Sequence, residues 1–494
     1  MKFVFADYLV LAGYFSALGL IGWRASRREK GTEDYFLGGR QMPWWAVTFS
    51  ILATEVSAVT FIGAPGESYG KNYAYLQFAF GSLLGRLLIA WLFLPAFYRG
   101  RVTSIYEYLG QRFGNHSRLT AASFFFVTRL LASGVRLLVV SLALSVVSGF
   151  PLLPIITVVA LFALAYTLLG GIKAVIWTDV LQFGVFMGGA LAAVFFLLNA
   201  VPGGWTGLCS RVDPAKLRVF DFSFSLTSST IFWVALVNGC IQTFAALGTD
   251  QDLTQRMLTC RRLEEGQRAL VFTGILDFPV VLVYLLLGTC LFYFYQTVGA
   301  PLPPDVAADP DKVFPHFIVT VLPAGVRGLL IASIFAAAMS SLDSAINALA
   351  SSAVMDIYRP FVRPGASESH YLKVSRVFVG AFCLLLVTAA VLLNQLEGGK
   401  LWLGFKVTGF TYGGLLGVFL LGVASRGGRD RSNLWAMVSS TAFLVFLAAA
   451  DEGNWFGQRE LLAWPWYIAV GTAWTFGFGW FLARFRVGGR SGER

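Results

Sequence analysis

Apolar runs long enough to cross a lipid bilayer recur along almost the whole chain, at roughly 5–24, 44–66, 73–98, 120–149, 151–170, 175–200, 230–248, 269–297, 326–350, 377–395, 400–424, 433–450 and 463–483. Inside hydrocarbon every backbone N–H and C=O must find its partner within the protein, and runs of this length do so as helices. The expected fold is therefore an all-α polytopic membrane protein with about thirteen transmembrane helices. Composition points the same way: 56% of residues are hydrophobic and 13% charged, far from the balance of a soluble domain. The first run lacks a small-residue cleavage signature and reads as a retained helix. Five scattered cysteines have neither metal-ligand spacing nor the pattern of a disulfide framework.

Basic residues sort the loops. Those after odd-numbered crossings hold Arg24, Arg40, Arg99, Arg101, Arg118, Arg256, Arg261, Arg262, Arg359, Lys373 and Arg429 among others. Roughly twenty-five basic residues fall on that side against about eight on the other, which predicts that these loops are cytoplasmic. The N-terminus is then outside, the C-terminus inside, and the expected location is the inner (plasma) membrane. The net charge of +11 follows from this asymmetry and does not call for a nucleic-acid partner.

Two crossings carry the marks of broken helices. The second contains Ala53-Thr54-Glu55-Val56-Ser57-Ala58-Val59-Thr60 followed by Gly63, Pro65 and Gly66, polar groups and helix breakers near mid-membrane. The seventh contains Asn238, Gly239, Gln242, Thr243 and Gly248 ahead of a Thr249-Asp250-Gln251-Asp252 loop. Five crossings separate the two. An odd number reverses the direction of entry, so the pattern predicts a five-plus-five inverted repeat, 44–200 and 230–424, in a single domain over 1–494. The helix at 5–24 precedes the repeats, and two helices at 433–483 follow them. Glycines that merely allow close helix packing are the alternative reading of the same residues.

The ninth crossing holds Ser340, Ser341, Asp343 and Ser344 inside an apolar run, and Ala337, Ser340, Ser341 and Ser344 share one helical face. A carboxylate and three hydroxyls at bilayer depth are costly unless they meet a cation, a cavity or each other, so an ion pathway is the leading reading and helix-to-helix bonding the other. Three further charges matter. Asp179 at the start of the sixth crossing suits a helix N-terminus. Arg129 and Arg136 lie seven residues apart in the fourth crossing and need an anion, with Glu55 as a candidate partner; a structural ion pair and contact with solute are both open.

These residues resemble the sodium/solute symporters, a family that carries sugars, proline, sialic acid, iodide, vitamins and monocarboxylates. The resemblance runs from Asp34-Tyr35-Phe36 to the eleventh crossing, through Thr103-Ser104-Ile105-Tyr106-Glu107-Tyr108-Leu109, the stretch Gly170 to Gln182 with its Trp177-Thr178-Asp179 core, Gln251-Asp252 with Gln255-Arg256, and Ala336 to Tyr358. Spacings are similar to the bacterial sodium/sialic acid branch, and Ser57 to Gly63 also to the monocarboxylate and iodide branch.

The resemblance implies a first sodium ion held by carbonyls of Ala53, Val56 and Ala337 and hydroxyls of Ser340 and Ser341. It implies a second between Asp179, Ser340, Asp343 and Ser344, where Asp343 replaces the serine of the sialic acid carriers. Substrate positions map to Glu55, Ser57, Ala58 and Thr60 with Tyr75 and Gln77 of the third crossing, and Gln242 joins these candidates. The family's carboxylate-binding arginine aligns with Ala132, but Arg136 lies one turn along the same face. The expected function is sodium-coupled symport of a small polar organic solute (a sugar, a polyol or a carboxylate such as a sialic-acid-like acid) by alternating access, without covalent chemistry. Sodium ions, the solute and lipid are the expected partners. A proton-coupled carrier using Asp179 or Asp343 and a non-transporting membrane sensor are the alternatives.

Overall fold

The computed structural model describes residues 4–26, 31–56, 58–224, 231–395, 400–425, 427–453, 455 and 464–484. Among them there is no strand. The main helices are α1 (Phe5–Ser26), α2 (Trp44–Glu55), α3 (Ala58–Gly70), α4 (Gln77–Leu88), α5 (Asn115–Ser148), α6 (Leu152–Ala200), α7 (Phe232–Thr249), α8 (Gln251–Met257), α9 (Leu263–Thr297), α10 (Pro310–Thr320), α11 (Val326–Ser352), α12 (Glu368–Asn394), α13 (Lys400–Ala424), α14 (Asp430–Glu452) and α15 (Tyr467–Arg484).

Among the described residues nine spans are long and apolar enough to cross a membrane alone, and α2 with α3 forms a tenth, bent by 61°. The shorter apolar helices Leu152–Leu168 and Thr408–Ala424, with α15, bring the crossings to thirteen. α6 is two of these crossings in one run, parted where Gly171 adopts φ 49° and ψ −146°. A Cβ there would stand 2.4 Å from the Tyr35 carbonyl oxygen, so only glycine fits. Tyr35 donates its hydroxyl to the Thr167 carbonyl (3.1 Å) just before the break. The second half of α6 begins near Ile172, so Asp179 lies two turns inside the helix and is fully buried, not at its N-terminus.

Both predicted discontinuities exist, but the second is displaced. α2 ends at Glu55, with Val56 at φ −73° and ψ 74°. In the seventh crossing the helix runs unbroken through Gly239 and Gly248 and stops at Asp250, which takes an extended conformation before α8 begins. The glycines serve packing. A Cβ on Gly81 would sit 2.1 Å from the Leu236 carbonyl oxygen, and one on Gly239 2.5 Å from that of Phe78, so α4 and α7 touch backbone to backbone.

At the far end of α3 the connecting loop closes the helix. Lys216 donates to the carbonyls of Ser68 (3.1 Å), Tyr69 (2.7 Å) and Lys71 (3.3 Å), and its ammonium lies 3.9 Å from the Phe292 ring centre. Burial holds this amine below the usual lysine range.

Candidate functional site

A helix that stops inside a membrane leaves its last carbonyls without N–H donors. At the end of α2 those are the carbonyls from Leu52 onward, and among the described residues the Leu52 carbonyl is the one taken by a backbone donor, the Val56 N–H (2.9 Å). α11 lies against this end and is buried almost throughout from Gly328 to Ser352. Its Ser340 hydroxyl donates to the Ala53 carbonyl (2.9 Å), and the Thr54 hydroxyl donates to the Ser340 carbonyl (3.4 Å). Ser341 only grazes the Ala337 carbonyl, at 3.5 Å. Ala53, Val56, Ala337, Ser340 and Ser341 are all buried. The donor set is carbonyls and hydroxyls without a carboxylate, which suits a hard monovalent cation. To admit one, Ser340 need only rotate its hydrogen away from Ala53 and offer a lone pair.

The residues assigned to a second ion have other partners here. Asp179 accepts from the Ser50 hydroxyl (2.5 Å) and from Arg256 Nη2 (3.1 Å), while its Oδ1 has no hydrogen-bond partner among the described residues. Asp343 accepts from the Tyr166 hydroxyl and from the Ser344 N–H, both at 2.6 Å. Ser344 donates back into its own helix, to the Ser340 carbonyl at 2.9 Å. Ser340, Asp343 and Ser344 are thus bonded to one another within α11, while Asp179 of α6 makes no direct hydrogen bond to any of them among the described residues.

Arg256 overturns one sequence expectation. Read as a loop residue, it is fully buried in α8. Its Nε donates to Ser50 (2.8 Å), its Nη2 to Thr54 (2.6 Å), and its Nη1 to the Asp252 carbonyl (2.6 Å) and side chain (3.1 Å). One guanidinium therefore ties α8 to α2 and α6 beside the oxygens at the α2 break. Arg129 pairs with Asp250 and with Asp252, the latter at 3.0 Å, and Tyr412 donates to Asp250 at 2.8 Å. It is not a partner of Glu55.

Above this network lies a cavity of about 200 Å³ lined by Thr54, Glu55, Val56, Thr60, Tyr75, Phe78, Ala79, Ser82, Arg86, Arg136, Gln242, Thr243, Ala246, Leu253, Asp277 and Val281. It gathers the predicted Glu55, Thr60, Tyr75, Arg136 and Gln242. Tyr75, 42% exposed, stands at its mouth. Gln77 is turned away, donating to the Ala74 carbonyl (3.1 Å) and accepting from the Asp221 N–H (3.2 Å). Ser57 lies outside the described residues.

Two of the cavity's charges escaped the sequence reading. Arg86 grips Glu55 through both carboxylate oxygens (2.8 and 2.7 Å), bonds Ser82, and lies 3.8 Å from Asp277. Arg136 makes no hydrogen bond or ion pair among the described residues. A lone arginine in the third apolar run and a lone aspartate in the eighth are the same signal that singled out Arg129 and Arg136.

A bundle of about thirteen crossings with a broken helix, buried carbonyl and hydroxyl oxygens at the break and a small charged cavity next to them is the architecture of a secondary carrier. Residues 35–439 match the sodium:solute symporter family. The chain is 30% identical to the sodium/sialic acid symporter SiaT of Proteus mirabilis, over 92% of this chain and 90% of that protein. It is also 30% identical to the human sodium-coupled monocarboxylate transporter 1, over 85% of this chain and 69% of that one. A solved structure of a sodium-coupled sialic acid symporter, substrate-bound and outward-open, superposes with a TM-score of 0.87 at 28% identity, covering 98% of both chains. The chain belongs to the sodium:solute symporter family. It is a multi-pass membrane protein that couples sodium to solute movement, and it is not an enzyme.

Proposed function

We propose that the solute is a small organic acid whose carboxylate is held by Arg136 in the cavity next to the α2 break. The observation that carries this reading is the unpaired Arg136 guanidinium facing a space whose other arginine is already spent on Glu55. Arg136 is half-buried, where a cation without an anion is partly desolvated, and a ligand carboxylate supplies bidentate, charge-assisted hydrogen bonds. At about 200 Å³ the cavity lies below the range of roughly 300–1,000 Å³ that holds drug-sized ligands, so the solute is small. The sialic acid and monocarboxylate relatives are named for carboxylates, which supports the same class.

Sodium sits first at Ala53, Val56, Ala337, Ser340 and Ser341. A second cation belongs near Asp179, with Ser340, Asp343 and Ser344 around it. Charge supports two: among the described residues the direct ion pairs of the buried Asp179, Asp250, Asp252 and Asp343 are made by two guanidinia, Arg129 and Arg256. Two added positive charges neutralise the group, either two sodium ions or one sodium and a proton on Asp343, which has a tyrosine but no cation at its carboxylate. The second case makes the carrier partly proton-coupled, and uptake driven by a pH gradient in sodium-free buffer distinguishes it.

The repeats are assigned to 44–200 and 230–424, with the basic loops cytoplasmic, the N-terminus outside, and the protein in the plasma membrane. Sodium binding at the break steadies the outward-open arrangement, solute completes the site, and the population shifts to inward-open states. Thermal-shift screening of the purified protein against carboxylates, sugars and polyols, with sodium or choline, tests the reading. Stabilisation by carboxylates only in sodium is expected; stabilisation by neutral sugars alone overturns it.

A further inference from the structure

The cavity holds a second unbonded charge, of the opposite sign. Asp277 projects into it from α9 with its side chain 18% exposed, and makes no hydrogen bond among the described residues. Its nearest cation is Arg86 Nη1, 3.8 Å away, beyond hydrogen-bond reach. Arg86 cannot serve both carboxylates equally, because its Nη2 is committed to both oxygens of Glu55 and its Nη1 to Ser82. Glu55 and Arg86 thus form a closed pair. Arg136 and Asp277 face the same small space, Arg136 without an ion pair among the described residues and Asp277 with only the long 3.8 Å pair to Arg86.

Counted together, Glu55, Asp277, Arg86 and Arg136 are electrically neutral. A solute with only a carboxylate satisfies Arg136 and leaves Asp277 without a hydrogen bond, held only by its long ion pair to Arg86, in a space from which solute displaces water. A neutral sugar leaves both charges unmatched. A solute carrying one carboxylate and one ammonium satisfies both and keeps the cavity neutral. Tyr75 and Phe78, their rings nearly parallel with 5° between the planes, also line the cavity, and an aromatic face favours a cation over an anion.

We propose that this carrier's solute is zwitterionic, its carboxylate on Arg136 and its ammonium on Asp277. The inference rests on the organic-acid reading and narrows it to amino acids. The ammonium donates to the Asp277 carboxylate, and no bond is made or broken. Selectivity then comes from rejection as well as attraction, since a des-amino analogue strands the aspartate.

The test uses the purified full-length protein in sodium and in choline, with matched pairs as probes: L-alanine with propanoate, 4-aminobutanoate with butanoate, and 6-aminohexanoate with hexanoate. At least one amino member should bind about tenfold or more tighter than its partner, the chain length reporting the separation of the two charges. In Asp277→Asn that ratio should collapse toward one. Asp277→Glu is the second variant, should the first fail to fold; it should keep the preference and shift it to a shorter probe. Des-amino acids binding as well as every amino partner overturn the zwitterion and leave the organic-acid reading standing. Failure of every carboxylate to bind in sodium overturns both. An Asp277→Asn protein weakened equally toward both members of a pair overturns the assignment of the ammonium to this residue.

Discussion

The Ser340 hydroxyl and the Ala53 carbonyl meet across 2.9 Å, joining the stripe of α11 to the last turn of α2. This contact brings an orphan carbonyl and a hydroxyl close enough to share one cation. Removing the hydroxyl in Ser340→Ala, or that of its neighbour in Ser341→Ala, should raise the sodium concentration for half-maximal uptake by about tenfold, equivalent to about 1.4 kcal/mol. Folded protein should be retained. Sodium activation curves in proteoliposomes are the measurement, and curves that superpose on wild type for both variants would remove these residues from the site.

Arg136→Gln should raise the KM for a transported carboxylate by an order of magnitude or more, since hydrogen bonds to charged groups contribute about 1.5–3 kcal/mol. Sodium binding in the absence of solute should persist, because Arg136 lines the solute cavity and does not touch the Ala53 to Ser341 oxygens. An unchanged KM would show that the carboxylate lies elsewhere.

Arg256→Met removes the guanidinium that bonds Ser50, Thr54, Asp179 and Asp252. Breaking a buried ion pair by deleting one partner typically costs about 3–5 kcal/mol, so a large loss of melting temperature is expected. Adding Asp179→Asn should recover part of it, because one stranded charge disappears. Additive losses in the double variant would mean that the two residues are not coupled.

Gly81→Val tests the α4–α7 contact. Its Cβ would fall 2.1 Å from the Leu236 carbonyl oxygen, a backbone atom that cannot swing aside. A cost of at least about 1–3 kcal/mol is expected from overpacking, read as lowered thermal stability and yield. A Gly81→Val protein as stable as wild type would contradict the close crossing.

Much of the architecture was legible because the bilayer imposes it. Span length, the polar interruption at Ala53 to Thr60 and the hydroxyl face from Ala337 to Ser344 are local patterns, and each corresponds to an element found in place. What escaped depends on tertiary partnership. Gly239 and Gly248 could equally break a helix or tighten a crossing, and only their neighbours decide, α4 for Gly239 and Ile89 with Phe93 for Gly248. Arg256 follows a weak helix and precedes a basic stretch, so charge counting assigned it to a loop; the acids that bury it, Asp179 and Asp252, come from two different helices. Arg86 and Asp277 were visible as lone charges in apolar runs, but Arg86 meets Glu55, 31 residues away, and Asp277, 191 residues away, which no helical period encodes.

The last prediction concerns the number of ions moved. Asp179 spends one carboxylate oxygen on Ser50 and Arg256 and keeps the other without a partner among the described residues. A buried carboxylate oxygen left bare is costly, and Arg129 and Arg256 face four buried acids, so the second cation proposed near Asp179 would supply compensation. Asp179→Asn deletes that demand for charge while preserving the side chain's shape. If a second sodium is recruited there, the variant should move one sodium fewer per solute, and the reversal potential for solute flux should depend less steeply on the sodium gradient. Measuring that potential in proteoliposomes at several sodium ratios gives the coupling number directly. A ratio identical to wild type would assign Asp179 to the Arg256 pair alone and leave the break near Ala53 as the sole coupling site.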